Sequence, residues 1–398
     1  MSEIQIIRGS HMKTAYFVKI DAQNNNNRYY KMYQNSSKSF LVEIGRVGIQ
    51  PITRPYPLSS WDTVYQKKLA EGYIDRTPLT QITKSGKHKE IEDLEVRELI
   101  DYLQKESSIA IKENYTVSFD EITPKMLQEA DKLLEQYGNN WQENNKILCK
   151  LFSVIPRKMD QVKDYLLPEN ASEEQIFSVL QREQEFLDVL RTKIHMDRNQ
   201  VEKETLLDSW KTSITPITSE RELGEIKKHM GGNASQFVRA FRVRNQTLDD
   251  AFWKNYKRNG YRKSNIHYYY HGTRNMNCLS IMKNGLLLNP NAPRTGAMFG
   301  HGIYLANKAQ KSLHYTSLHG SLYAKGHSGR GYLFVLKSAY ADPIHVSHWE
   351  HYMSCYTAKK IAPHDAVFAH AGDSLVNDEI IVFRESQVTL QYIIEVQN

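Results

Sequence analysis

The residues of this chain best suited to chemistry lie between Tyr268 and Tyr315, and again at Glu379. His271-Gly272-Thr273 follows the aromatic, β-prone run Tyr268-Tyr269-Tyr270, which puts a histidine at a strand end beside a glycine that lets backbone approach a ligand. Gly300-His301-Gly302-Ile303-Tyr304-Leu305-Ala306 is a glycine-flanked short strand that aims an aromatic ring. Lys311-Ser312-Leu313-His314-Tyr315 adds a hydroxyl and, eleven residues after Tyr304, a second aromatic. Two aromatic faces, a hydroxyl and a backbone amide donor make a slot for a flat ring bearing a carboxamide. Asn377-Asp378-Glu379 opens the run Ile380-Ile381-Val382-Phe383, so Glu379 sits at the mouth of a strand and within reach of the same cleft.

These residues need a scaffold, and the flanking pattern supplies one. From about Ile214 onward the chain reads as strands: Phe237–Arg244, Gly331–Ala339, Glu379–Phe383 and Val388–Val396 make a largely antiparallel sheet. No GxGxxG occurs, so a dinucleotide would not be held in the Rossmann manner. Upstream the period changes to helical. Ile122, Met126, Ala130, Leu133, Leu134 and Tyr137 form one apolar face, and Ile147, Leu148, Leu151, Phe152 and Ile155 a second that ends at Pro156. A third helix runs from about Ser172 to Ile194 behind the capping box Ser172-Glu173-Glu174-Gln175. Near the start, Tyr16/Val18/Ile20, Tyr29–Tyr33 and Phe40–Ile44 read as strands, with Asn24–Asn27 as a hairpin loop and Ser60–Gly72 as a helix.

The chain of 398 residues exceeds one ordinary core, with 40% hydrophobic and 24% charged residues. No apolar run reaches membrane-spanning length and no signal pattern opens the chain, so the protein is expected to stay where it is made. Cys149, Cys278 and Cys355 form no CxxC pair, and His301, His314, His345, His348, His351 and His364 lack metal-site spacing. Neither a disulfide framework nor a metal is therefore expected. The net charge of +7 permits contact with nucleic acid without demanding it. Arg8-Gly9-Ser10-His11-Met12 reads as the remnant of a cleavable tag.

The segments HGTR, TGAMFGHGIYLA, the KS-to-Tyr315 stretch and NDEIIVF, in this order, resemble the catalytic domain of the poly(ADP-ribose) polymerases, within the diphtheria-toxin-like ADP-ribosyltransferases. The resemblance implies a His-Tyr-Glu triad of His271, Tyr304 and Glu379. It implies NAD+ as the substrate, with His271 on the adenosine ribose, Gly272 and Ser312 on the nicotinamide carboxamide, and Tyr304 and Tyr315 sandwiching the ring. Thr273 is expected to line the pocket, Lys311 to approach phosphates or acceptor, and Asn289–Arg294 to border the site as a lid.

The resemblance extends upstream. Residues 13–80 are similar to a WGR domain in which Ile44 stands at the name-giving tryptophan and Arg46 keeps its place as the candidate DNA contact. Residues 81–95 read as a linker. Residues 96–212, with Lys150–Arg157 as the nearest match, resemble the helical regulatory domain that restricts the NAD+ site until DNA binds, and residues 213–398 the transferase. The expected class is a multidomain α+β protein: a small β-rich domain, an all-α bundle and a mainly antiparallel transferase domain. The implied partners are DNA with strand breaks and an acceptor protein, the chain itself included, in a nucleus or a bacterial cytoplasm and away from membranes. A mono-ADP-ribosyltransferase acting on protein or nucleic-acid ends, and a non-catalytic NAD+ or ADP-ribose binding module, are the competing readings.

Overall fold

The computed structural model describes residues 13–77, 88–114, 122–198, 204–288, 298–320 and 328–398, with only the backbone of 195–198. The possible tag remnant, the first half of the linker (81–87) and the lid Asn289–Arg294 lie outside the described residues.

The chain forms two compact units, one of residues 1–83 with 112–171, the other of residues 84–111 with 172–398. The helical stretch is thereby shared out, which differs from the separate bundle expected at 96–212. Helix α2 (Leu94–Asn114), up to residue 111, and α5 (Glu173–Arg198) belong to the second unit, α3 (Pro124–Leu134) and α4 (Trp141–Val154) to the first. The physical reason is where the apolar stripes are spent. Val96, Leu99, Ile100 and Leu103 of α2 join the core beneath the larger sheet, and α5 packs on the segment around Met276 and Leu279.

In the first unit, β1 (Thr14–Asp21), β2 (Asn26–Gln34), β3 (Ser39–Arg46), β4 (Ile52–Pro57) and β5 (Ile74–Asp75) form a sheet of order β4-β3-β2-β1-β5, and α1 (Trp61–Ala70) packs on it. The first strand is buried on both faces: Ala15 and Phe17 face the core shared with α1, where the register Ala15↔Met32↔Val42 and Phe17↔Tyr30↔Ile44 aligns one apolar face across three strands, and Val18 of the expected strand set is fully buried on the opposite face. Ile44 is thus turned toward this core. The apolar faces of α3 and α4 are buried as their spacing predicts, with Met126, Ala130, Tyr137 and Leu148 fully enclosed. Thr123 caps α3, accepting from the Met126 amide at 3.2 Å.

The second unit is built on a nine-stranded sheet of order β11-β12-β13-β9-β8-β10-β14-β7-β6. Its strands are β6 (Thr212–Pro216), β7 (Phe237–Asn245), β8 (Ile266–Thr273), β9 (Ile303–Ala306), β10 (Arg330–Ala339), β11 (Pro343–Val346), β12 (Ala366–Ala369), β13 (Glu379–Val382) and β14 (Val388–Gln397). All pairs are antiparallel except β11 with β12. The helices are α6 (Leu206–Ser209), α7 (Glu220–Met230), α8 (Gln246–Arg258), α9 (Cys278–Asn284) and α10 (Ala309–Leu313). Strand β10 reads as a nearly continuous apolar run because both its faces are covered. Tyr332, Phe334 and Leu336 face the core shared with α2 and α9, while Leu333 faces Tyr270, Ile394 and the helices α7 and α10. Each such side chain, buried completely, contributes about 1.5–3 kcal/mol. A charge network centred on the buried Glu395 ties three neighbouring strands together: Glu395 receives Arg239 at 2.8 Å and Arg330 at 3.0 Å, and Arg239 also reaches Glu98 of α2 at 2.9 Å.

Candidate active site

Strand β8 pairs with β10 along its whole length, from Ile266↔Ala339 to Thr273↔Tyr332. On its other side it meets β9 only at Tyr270↔Ala306. Beyond that point the two strands share no further pairing, and this split in the sheet has His271 and Gly272 on one side and Tyr304 on the other. Tyr304 is itself held from behind by β13, opposite Ile381, and the same pairing sets Glu379 opposite Ala306, next to where the split begins.

The sequence explains why each wall can come so close. A Cβ on Gly272 would drive into the Ser312 carbonyl, so only glycine lets β8 run under α10. Gly300 has φ of +81° and lies against the backbone of Tyr356, which glycine alone tolerates. That turn orients the triad tyrosine: the Tyr304 hydroxyl donates to the Gly300 carbonyl at 2.9 Å and accepts from the Phe299 amide at 3.0 Å. With its hydroxyl tied to the loop, Tyr304 offers the split its ring face.

His271 Nδ1 lies 3.3 Å from the Tyr304 carbonyl, bridging the split. Burial pushes the imidazole down to about 4, only partly offset by that hydrogen bond, so it is neutral near pH 7. With Nδ1 donating to a carbonyl, Nε2 must be an acceptor. It can take a hydrogen bond from a ribose hydroxyl.

Glu379 forms an ion pair with Lys311 of α10, and both side chains are largely buried, at 13% and 15% exposure. The lysine expected near phosphates or acceptor is therefore paired with Glu379, the carboxylate expected in the triad. Ser312 is buried on α10 beside Gly272, and Tyr315 is partly exposed in the turn after that helix, its amide donating to the Ser312 carbonyl at 3.1 Å. Ser312 thereby adjoins the Gly272 side of the split. Thr273 does so less directly: its hydroxyl accepts from Asn277 Nδ2 at 3.1 Å and is spent on the turn leading to α9. Arg46 lies in the other unit, where its guanidinium donates to the carbonyls of Asn25 (2.7 Å), Met159 (2.8 Å) and Asp160 (2.8 Å). It is thus occupied in tying the end of β3 to residues 159–160.

Sequence reasoning missed the brace behind Glu379. Asp378 accepts from Asn307 Nδ2 and from the Ala371 amide, both at 2.8 Å, which fixes the mouth of β13 against the end of β9. Asp378 stands inside the NDE motif, but nothing in its spacing pointed to Asn307. A cavity of about 610 Å³ opens elsewhere in the same unit, between α8, Gly285-Leu286 and the start of β14; its lining is mostly apolar and includes no triad residue.

Comparison with known proteins agrees with this geometry. The family model of the poly(ADP-ribose) polymerase catalytic domain matches residues 221–398. An uncharacterised protein, 101L, of invertebrate iridescent virus 6 is 29% identical over 186 residues, 46% of this chain and 78% of the viral protein. The poly(ADP-ribose) polymerase tankyrase of Caenorhabditis elegans is 48% identical over 52 residues, 13% of this chain and 2% of the worm protein. Poly(ADP-ribose) polymerase 2 of the same worm is 28% identical over 32% of this chain, which spans 27% of its length. The match thus covers most of the viral relative and only a small part of the worm polymerases. Among the described residues no helix is long and apolar enough to cross a membrane. Residues 221–398 of this chain thus form a poly(ADP-ribose) polymerase catalytic domain, which is an NAD+-dependent ADP-ribosyltransferase domain.

Proposed function

We propose that the chain cleaves NAD+ at the β8/β9 split and elongates ADP-ribose on a protein acceptor, the polymerase type of the reaction. The observation that carries this reading is the pairing of Glu379 with Lys311 at the mouth of β13, beside the split lined by His271, Gly272 and Tyr304. The nicotinamide ring would lie against Tyr304 and Tyr315, with the Gly272 backbone and Ser312 on its carboxamide. His271 Nε2 would accept from the adenosine ribose, a positioning role. The C1′–N bond breaks with its electron pair leaving on nicotinamide, and the ribose gains oxocarbenium character, as in glycoside cleavage. The Glu379 carboxylate stabilises that charge, and it then takes the proton of the acceptor hydroxyl as the new C1′–O bond forms. Lys311 fixes the direction of the carboxylate beforehand, which lowers the cost of reorganisation at the reacting centre.

Activation by DNA strand breaks through the N-terminal part is the finer element of this proposal. Arg46 supports it indirectly. By tying the end of β3 to residues 159–160, it would let an event on the small sheet reach the helical segment of the same unit. The test is incubation with labelled NAD+, with and without a short duplex bearing a 5′-phosphate. Long ADP-ribose chains that depend on DNA fit the full proposal. Single-unit products would replace polymerase by mono-transferase, and chains formed equally without DNA would remove the activation step.

A further inference from the structure

Outside the active site, two histidines that stand far apart in sequence meet on one face of the sheet edge. His345 on β11 is opposite Phe368 on β12, and His370 follows two residues later, so the parallel register puts all three on the same face. His345 Nδ1 and His370 Nε2 are 2.9 Å apart. The rings are nearly coplanar, 15° apart with centroids at 5.1 Å, so they lie side by side with nitrogens head to head. Phe368 lies beside both, at 5.6 Å from the His345 ring and 4.7 Å from the His370 ring, and gives the pair an apolar flank. The His370 amide donates to the Val346 carbonyl at 2.7 Å, which anchors the pair to the backbone ladder.

Between two neutral imidazoles so placed, one inner nitrogen carries a proton and the other a lone pair. A shift of that proton to the outer nitrogen of its own ring leaves two lone pairs converging on one point, without change in net charge. Imidazole nitrogens bind borderline divalent ions such as Zn²⁺, Cu²⁺ and Ni²⁺. With Zn–N bonds of about 2.0–2.1 Å, two ligands of a tetrahedral ion stand about 3.3 Å apart. The nitrogens therefore have to separate by a few tenths of an ångström and the rings to tilt out of their head-to-head line until both lone pairs meet at the ion, movements that the exposed His345 and half-exposed His370 leave room for. We propose that His345 and His370 form a reversible binding site for a divalent transition-metal ion. Among the described residues no third His, Cys, Asp or Glu completes the set. Water then fills the remaining positions, which makes the site exchangeable and unlike a closed structural zinc centre. It lies at the end of β12 where Ala369 pairs with Glu379, one residue from the triad strand.

The test is isothermal titration of the full chain with Zn²⁺ after removal of metal with a chelator. One saturable equivalent is expected in the wild type. It should weaken by about tenfold or more in His345→Gln and in His370→Gln, since losing a ligand costs at least what losing a ligand's supporting partner does. His229→Gln, on α7, should leave it unchanged. Thermal unfolding in chelator serves as the folding control and should be the same for all four proteins, with Zn²⁺ raising the midpoint only of the wild type and His229→Gln. Absence of a saturable equivalent, equal affinity in either pair variant, or equal weakening in His229→Gln would overturn the site.

Discussion

The two sheets of this protein differ in how completely they are zipped. In the smaller one, β1 and β2 pair from Thr14↔Tyr33 to Asp21↔Asn26, and β2 and β3 from Arg28↔Arg46 to Gln34↔Phe40. The larger one is interrupted near its middle, where β8 and β9 share a single pairing. The difference shows in the charged residues. Arg46, at the end of the zipped sheet, is consumed by backbone carbonyls; Lys311 and Glu379, beside the split, are paired with each other in direct contact. A continuous sheet uses its polar groups for structure, and a split one keeps some for chemistry.

Substitutions on the two sides of this comparison should separate activity from stability. The largest effect is expected from Glu379→Gln, which removes the carboxylate while keeping its shape. Turnover should fall by about 10²–10⁴, the range for loss of a positioned acid-base group or charge stabiliser, while titration with NAD+ shows binding nearly intact. Next comes Gly272→Ala. Its Cβ must displace the Ser312 carbonyl, so α10 shifts and nicotinamide-site inhibitors should bind at least tenfold more weakly, measured by competition.

The histidine gives a pH test. The folded value for His271 is about 4 against an ordinary 6.5, so between these values the unfolded chain takes up a proton that the folded one refuses. Stability of the second unit should accordingly rise with pH from about 4 to 6.5, and this component should be absent from His271→Gln. NAD+ affinity of the wild type should show no transition from His271 between pH 6 and 9.

On the zipped side, Arg46→Ala should cost the first unit about 2 kcal/mol, through carbonyls left without their charged donor. Hydrogen exchange should lose protection near residues 25–28 and 158–162 while residues 266–273 stay unchanged. Weaker DNA binding with full protection at 158–162 would mean that Arg46 works outward instead. The smallest effect belongs to Ser172→Ala. Ser172 and Gln175 cap α5 reciprocally, at 3.3 Å and 2.9 Å, and loss of the cap should destabilise by about 1 kcal/mol in thermal unfolding.

How far the sequence was legible follows from the range of the interactions. The capping box at Ser172, the apolar faces of α3 and α4, and strands β7, β10, β13 and β14 rest on local period and propensity, and each lies close to where it was expected. The alternation at Tyr16, Val18 and Ile20 marked β1 as a strand, but that its other face, Ala15 and Phe17, is buried as well follows only from its partners Met32 and Tyr30. Helices α7 and α8 went unnoticed among charged residues, and α2, inside the stretch expected to be helical, was given no apolar stripe although Val96, Leu99 and Leu103 carry one. The sharing of the helices between two units depends on which core receives each stripe, which no single segment states. In the site, the motifs gave His271, Tyr304 and Glu379. The Lys311 ion pair, the Asn307–Asp378 brace and the His345–His370 pair join residues 25 to 71 positions apart and became visible only through the fold.

The central claim is that the split beside β8 is the transferase centre with Glu379 as its charged group. Release of nicotinamide from labelled NAD+ by the wild type and by Glu379→Gln, under conditions where both bind NAD+, tests it most directly. The account predicts steady release by the wild type and a loss of at least 10² in the variant. Equal rates from the two proteins, or no release by a wild type that binds NAD+ tightly, would contradict it.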